Sequence, residues 1–121
     1  MKKQIICLLV CLWSINSLAQ SNSVKDLYES FKQYRTTNDD KPSQIVKTLE
    51  LLKFADQLTA KQLTNINYNL GRMYEDIEEA DKAIPYYEKS LIGEPNYEVV
   101  HRALGFIYLA KSTSAVAKIN E

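Results

Sequence analysis

Residues 70–95 read LGRMYEDIEEADKAIPYYEKSLIGEP, and the start of this stretch returns at 104–108 as LGFIY. Shifted by 34 residues, the chain superimposes Leu70 on Leu104, Gly71 on Gly105, Tyr74 on Tyr108 and Ala83 on Ala117. A fixed period of this size marks stacked units of supersecondary structure rather than one irregular core. Apolar residues within each copy recur at three-and-four spacing, the rhythm of a helix with one buried face.

The glycines make the reading specific. A glycine in a helix interior costs ~1 kcal/mol relative to alanine, so each needs a compensating contact. Close approach of a second helix supplies one, because the missing Cβ lets two backbones or a backbone and a side chain meet. Ala83 is the expected small residue facing Gly71, with Leu70, Tyr74 and Tyr87 as flanking bulk worth ~1.5 to 3 kcal/mol each if fully buried. Pro95 ends the second helix and turns the chain toward the next unit. On this reading Gly71 and Gly105 each lie against a companion helix.

The order Leu70, Gly71, Tyr74, Ala83, Tyr87, Ser90 and Pro95 resembles the tetratricopeptide repeat over residues 64–97. A partial second unit, 98–121, carries Leu104, Gly105, Tyr108 and Ala117 and looks incomplete after its first helix, expected over 97–111, with a further helix beginning near Ser114. The resemblance implies an all-α fold of stacked antiparallel helix pairs, an α-solenoid with about five or six helices. It also implies a concave groove lined by the first helix of each pair. Asn65, Tyr68, Arg72, Glu75 and Asp76 would face that groove from one unit, and Val99, Arg102, Phe106 and Leu109 from the next. Arginine and aromatic residues are the usual anchors of interfaces. Members of the family that clamp a C-terminal carboxylate use Lys and Asn, where this chain has Tyr68, Arg72 and Ala103, so that clamp is not reproduced.

Upstream, residues 20–63 read as a divergent N-terminal helix pair. Val24, Leu27, Tyr28, Phe31 and Tyr34 form one apolar stripe, with Ser23 and Asp26 at capping spacing. Pro42 opens a second helix carried by Ile45, Leu49, Leu52, Phe54, Ala55 and Leu58. Thr48, Leu52 and Ala55 stand as its close-packing residues. Thr59 and Gln62 repeat the capping spacing ahead of a third helix reaching Ile77, and Pro85 falls near enough to the start of the fourth to remove at most one hydrogen bond.

Residues 1–19 have another character. Lys2 and Lys3 precede an apolar run from Ile5 to Trp13, and Ser17 and Ala19 stand at the small positions before a cut, the anatomy of an export signal. The run is shorter than the ~20 residues that span a bilayer. Cleavage after Ala19 is expected, and the Ala19-Gln20 junction resembles signals common in the Bacteroidota. The folded part would then work in the periplasm or outside the cell, an uncleaved N-terminal anchor being the alternative. Cys7 and Cys11 both lie in this segment, leaving no thiol chemistry beyond it.

Composition excludes several function classes. Fifteen basic and fifteen acidic residues give no net charge, and they are interspersed rather than gathered into the basic stripe that nucleic acid requires. His101 is the one histidine and has no second metal ligand at helical spacing. Asp76, Glu78, Glu79 and Asp81 crowd one turn but lack the glycine-centred alternation of a calcium loop, and pairing with local lysines explains them. No nucleophile elbow, phosphate loop or zinc-protease signature is present. The expectation is a non-catalytic scaffold without cofactor or small-molecule substrate, binding a protein or peptide partner, in envelope assembly among other settings. Its unfinished last unit offers a route to self-association. The rival reading is the N-terminal sensor or docking region of a longer membrane-bound signalling or enzymatic protein.

Overall fold

The computed structural model describes residues 24–37 and 40–121. The export-signal reading of residues 1–19, with Cys7 and Cys11, and the capping role of Ser23 lie outside the described residues. Every regular element among those described is helical. The chain divides into two compact units at Thr37/Asn38.

In the first unit, residues 24–34 form helix α1. Val24 and Phe31, seven residues apart and so on one face, are buried. Phe31 meets Tyr28 at 5.7 Å and Tyr34 edge-on at 5.9 Å between ring centres. Thr36 and Thr37 turn their hydroxyls back to the carbonyls of Gln33 and Tyr34, closing the helix end.

The second unit holds four α-helices and a single 3-10 turn: α2 (Lys41–Leu52), the turn Ala55–Gln57, α3 (Ala60–Asp76), α4 (Ala80–Gly93) and α5 (Glu98–Ile119). Asp40 caps α2 through the Ser43 amide, and Pro42 sits in its first turn, where a missing amide is harmless. The helix stops at Leu52, earlier than its apolar pattern suggests. The Lys53 and Phe54 amides tighten onto the Glu50 and Leu51 carbonyls, so Ala55 falls in the exposed 3-10 turn and Leu51 becomes the buried leucine. Thr48 is fully buried against α3, its hydroxyl bonded to the Gln44 carbonyl at 2.7 Å and 3.9 Å from Met73 sulfur.

Thr59 and Gln62 form a reciprocal capping box: the Gln62 amide donates to Thr59 Oγ1 at 3.2 Å, and the Thr59 amide to Gln62 Oε1 at 2.8 Å. At the other end of α3, Glu78 adopts φ 62°. Its amide donates to the Glu75 carbonyl and that of Glu79 to the Tyr74 carbonyl, the two bonds of a Schellman cap. Only three residues separate α3 from α4, so the two pack antiparallel. They form the most extensive helix contact of the unit, from Gly71 on Tyr87 at the middle to Thr64 on Gly93 at the far end.

A core of Ala83, Tyr87, Val100, Leu104 and Ile107 joins α4 to α5, with Tyr68, Tyr74 and Tyr97 packed around it. His101 ties α5 to the preceding turn, its Nε2 lying 2.7 Å from the Pro95 carbonyl. A carbonyl can only accept, so that nitrogen carries the proton.

Two further expectations change at α5. The break expected near Ser114 does not occur: α5 runs unbroken for 22 residues. No glycine or proline interrupts Ser112-Thr113-Ser114, and the Ser112 and Thr113 hydroxyls donate to the carbonyls of Leu109 and Ala110, which lets polar residues remain helical. Ala117 is therefore an exposed residue of α5, not part of a returning helix. Gly105 likewise lacks its companion: beyond its chain neighbours and the adjoining backbone of its own helix, no heavy atom lies within 4 Å of where a Cβ would stand.

Candidate groove between the helical hairpin and the last helix

The turn from α3 into α4 and the second half of α5 enclose an open groove of about 670 Å³. Its floor is apolar, made by Ala80, Phe106, Ile107, Ala110 and Ala115, and its rim carries charge of both signs. Glu75 and Asp81 stand on the hairpin side, Lys111 and Lys118 on α5. Lys111 Nζ reaches Asp81 Oδ1 across the rim at 2.5 Å, and that hydrogen bond and the Asp81 charge raise the Lys111 pKa above its ordinary value. Both side chains are exposed, so the pair contributes little stability. It can exchange for a ligand's charges.

The residues expected to face a partner separate into three groups. Glu75 and Phe106 line the groove. Phe106 is 65% exposed, a large ring held in water by a well-formed helix. Glu75 is already engaged, accepting a short hydrogen bond from the Tyr87 hydroxyl. Burial first, and then this bond, raise the Tyr87 pKa well above the ordinary phenol value.

Asn65 and Tyr68 serve the fold. The Asn65 side-chain oxygen accepts from Asn69 Nδ2 at 3.0 Å. Tyr68 packs its ring 5.1 Å from that of Tyr97 and 6.2 Å from that of Tyr87. Arg72 is exposed and lies over the Tyr68 ring at 5.9 Å, close to the engaged Glu75. Asp76 pairs with Lys41 at 3.6 Å.

Arg102 and Leu109 form the third group. They project from a different side of α5 than the groove lining, more than ~100° from its centre at the angular step of an α-helix, with Phe106 at the near edge.

Asp81, Ala110, Lys111 and Lys118 belong to the groove but were not singled out from the sequence as partner-facing. Their signal was the three-and-four spacing continuing from Ile107 through Lys111 and Ser114 to Lys118, visible only if α5 is taken as unbroken. Asp81 pairs across 30 residues with Lys111, whereas the neighbouring Glu79 pairs locally with Lys82. Among the described residues no group of His, Cys, Asp or Glu is placed to hold a metal ion, and no helix is long and apolar enough to cross a membrane.

The chain is thus an all-helical protein whose second unit is centred on an antiparallel hairpin. No family model matches it, and no solved structure matches it. It is similar to the uncharacterized protein ycf37 of Guillardia theta, 41% identical over 56 residues, which make up 46% of this chain and 32% of that protein. The similarity thus spans about a third of that protein's length.

Proposed function

We propose that the chain is a tetratricopeptide-type scaffold that binds a peptide or a segment of another protein in the groove between the α3–α4 turn and α5, and does so after export. The observation that carries this reading is Phe106: a 65% exposed aromatic on a floor otherwise made of Ile107 and alanines, beneath a rim with carboxylates on one side and ammonium groups on the other. Such a floor takes one apolar side chain, and such a rim orients the flanking charges of an extended or helical segment. The repeat signature supports the scaffold class. The residues from Leu70 to Pro95 provide a hairpin whose only large exposed apolar side chain is Ile92, and α5 adds a long, exposed face beside it. The apolar run and small-residue cut site at the N-terminus support export. On this reading the protein acts by binding a partner, not by catalysis.

Selection of a random peptide library on the full chain tests the reading. The selected peptides are expected to share an apolar residue flanked by charge, and to lose at least tenfold in affinity for Phe106→Ala, a substitution that leaves helicity unchanged because the ring is exposed. Equal affinity of Phe106→Ala and the parent chain removes the groove as the binding site.

A further inference from the structure

The side of α5 turned away from both α4 and the groove carries its own pattern. Arg102, Gly105, Leu109, Ser112, Val116 and Ile119 recur at alternating steps of three and four, so they form one stripe along the helix. All six are exposed, the three aliphatic ones at 60% (Leu109), 56% (Val116) and 82% (Ile119). Gly105 marks the side where a companion is expected. At the equivalent glycine one period earlier, Gly71, the Tyr87 ring of α4 fills the space, whereas beside Gly105 that space is open.

We propose that this stripe is covered by the same stripe of a second copy of the chain, with the two α5 helices antiparallel and Gly105 of each opposite Val116 of the other. The stripe is complementary to itself only in that direction. Gly105 then faces Val116, Ser112 faces Leu109, and Arg102 faces Ile119, so a small residue meets a large one in the central layers. A parallel in-register pair instead stacks Gly105 on Gly105, leaving a void, and Arg102 on Arg102, bringing like charges together. The antiparallel pair places each Arg102 beside the last turn of its partner's α5, where free carbonyls favour a cation. Hydroxyls on the stripe need no outside partner, since Ser112 already donates to the Leu109 carbonyl. An isologous pair uses one patch twice. With 22 residues α5 is ~33 Å long, and two such faces bury on the order of 1,200 Å² in all, the lower edge of stable interfaces.

Oxidative cross-linking of the full chain, with Cys7→Ser and Cys11→Ser so that no other thiol takes part, reads the register directly. Chains carrying Gly105→Cys mixed with chains carrying Val116→Cys are expected to form disulfide-linked dimers. Either variant alone is not, because its two sulfurs stand ~16 Å apart along the antiparallel pair. Sedimentation of the same cysteine-free background is expected to show a dimer weakened at least tenfold by Leu109→Ser with its helical circular dichroism unchanged. Linkage equal in mixed and unmixed samples overturns the proposal. So does a monomer at ~100 µM, or a dimer indifferent to Leu109→Ser. Phe106→Ala, on the groove side, is expected to leave the dimer intact, which separates this result from the peptide-binding test.

Discussion

The Tyr87 ring occupies the space beside Gly71 so completely that a Cβ on the glycine would stand 2.5 Å from Tyr87 Cε1 and 2.6 Å from Cδ1. Tyr87 itself is 1% exposed and bonded to Glu75, so the ring cannot swing aside. Gly105, in the same place one period later, has no such neighbour.

Alanine therefore has opposite effects at the two glycines. Gly71→Ala is expected to destabilise the fold by about 1–3 kcal/mol, the cost of overpacking a filled site. Gly105→Ala is expected to stabilise it by about 0.5–1 kcal/mol, through helix propensity alone. Urea unfolding of dilute chain, where α5 is unpaired, checks both, and a common sign for the two substitutions contradicts the packing difference.

What the sequence made legible was what neighbouring residues decide. The Thr59–Gln62 capping box, Pro42 in the first turn of α2, the limits of α3 and α4 and the all-helical class all follow from contacts within a few positions. Partner choice across helices did not. Ala83 was expected to fill the space at Gly71, yet the register of the antiparallel pair brings Tyr87 there, and Ala83 packs in the core shared by α4 and α5. A helix end near Lys111 and a new start near Ser114 were expected, but hydroxyls that bond to the carbonyl three positions back keep Ser112-Thr113-Ser114 helical. Phe106 and Glu75 were named because the family resemblance puts ligands along the first helix of each pair, and both line the groove that the α3–α4 turn forms with α5. Lys111 and Asp81 were missed as groove residues because their pairing exists only once α5 lies against α4.

Glu78 is the one non-glycine residue with positive φ among those described. It stands at the Schellman position where the left-handed conformation costs a side chain ~1–2 kcal/mol and a glycine almost none. Part of that difference is lost to the greater freedom of glycine in the unfolded chain. Glu78→Gly is expected to raise stability by about 1 kcal/mol, seen as a higher urea midpoint with an unchanged slope. A lower midpoint would mean that the Glu78 side chain makes a contact worth more than its backbone strain.

At the far end of the same hairpin Gly93 meets Thr64. A Cβ on Gly93 would overlap Thr64 Oγ1 but lie 3.4 Å from Thr64 Cβ, so the obstruction is the hydroxyl. That hydroxyl is held in place by the Ala60 carbonyl at 3.0 Å. Gly93→Ala is expected to cost about 1–2 kcal/mol, and Thr64→Ala in the same chain to restore most of it. A double-mutant cycle reads the coupling. Independent effects would show that α3 and α4 part at this end instead of holding their contact.

Tyr87 and Glu75 link the hairpin to pH. Burial and the bond to Glu75 raise the phenol pKa in the folded chain, whereas in the unfolded chain it returns to about 10. The folded state thus holds its proton more tightly, so this contribution is complete below pH ~10 and declines as pH climbs above it, when the unfolded chain releases the proton first. Tyr87→Phe removes the hydroxyl and leaves the Glu75 carboxylate without that donor, at an expected cost of about 1–2 kcal/mol at neutral pH. It should also flatten the alkaline loss of stability. Urea midpoints of the two chains measured from pH 7 to 12 are expected to converge as pH increases. Midpoints that fall in parallel across that range would place the alkaline transition at other tyrosines, and the Tyr87 hydroxyl would then hold the hairpin by packing alone.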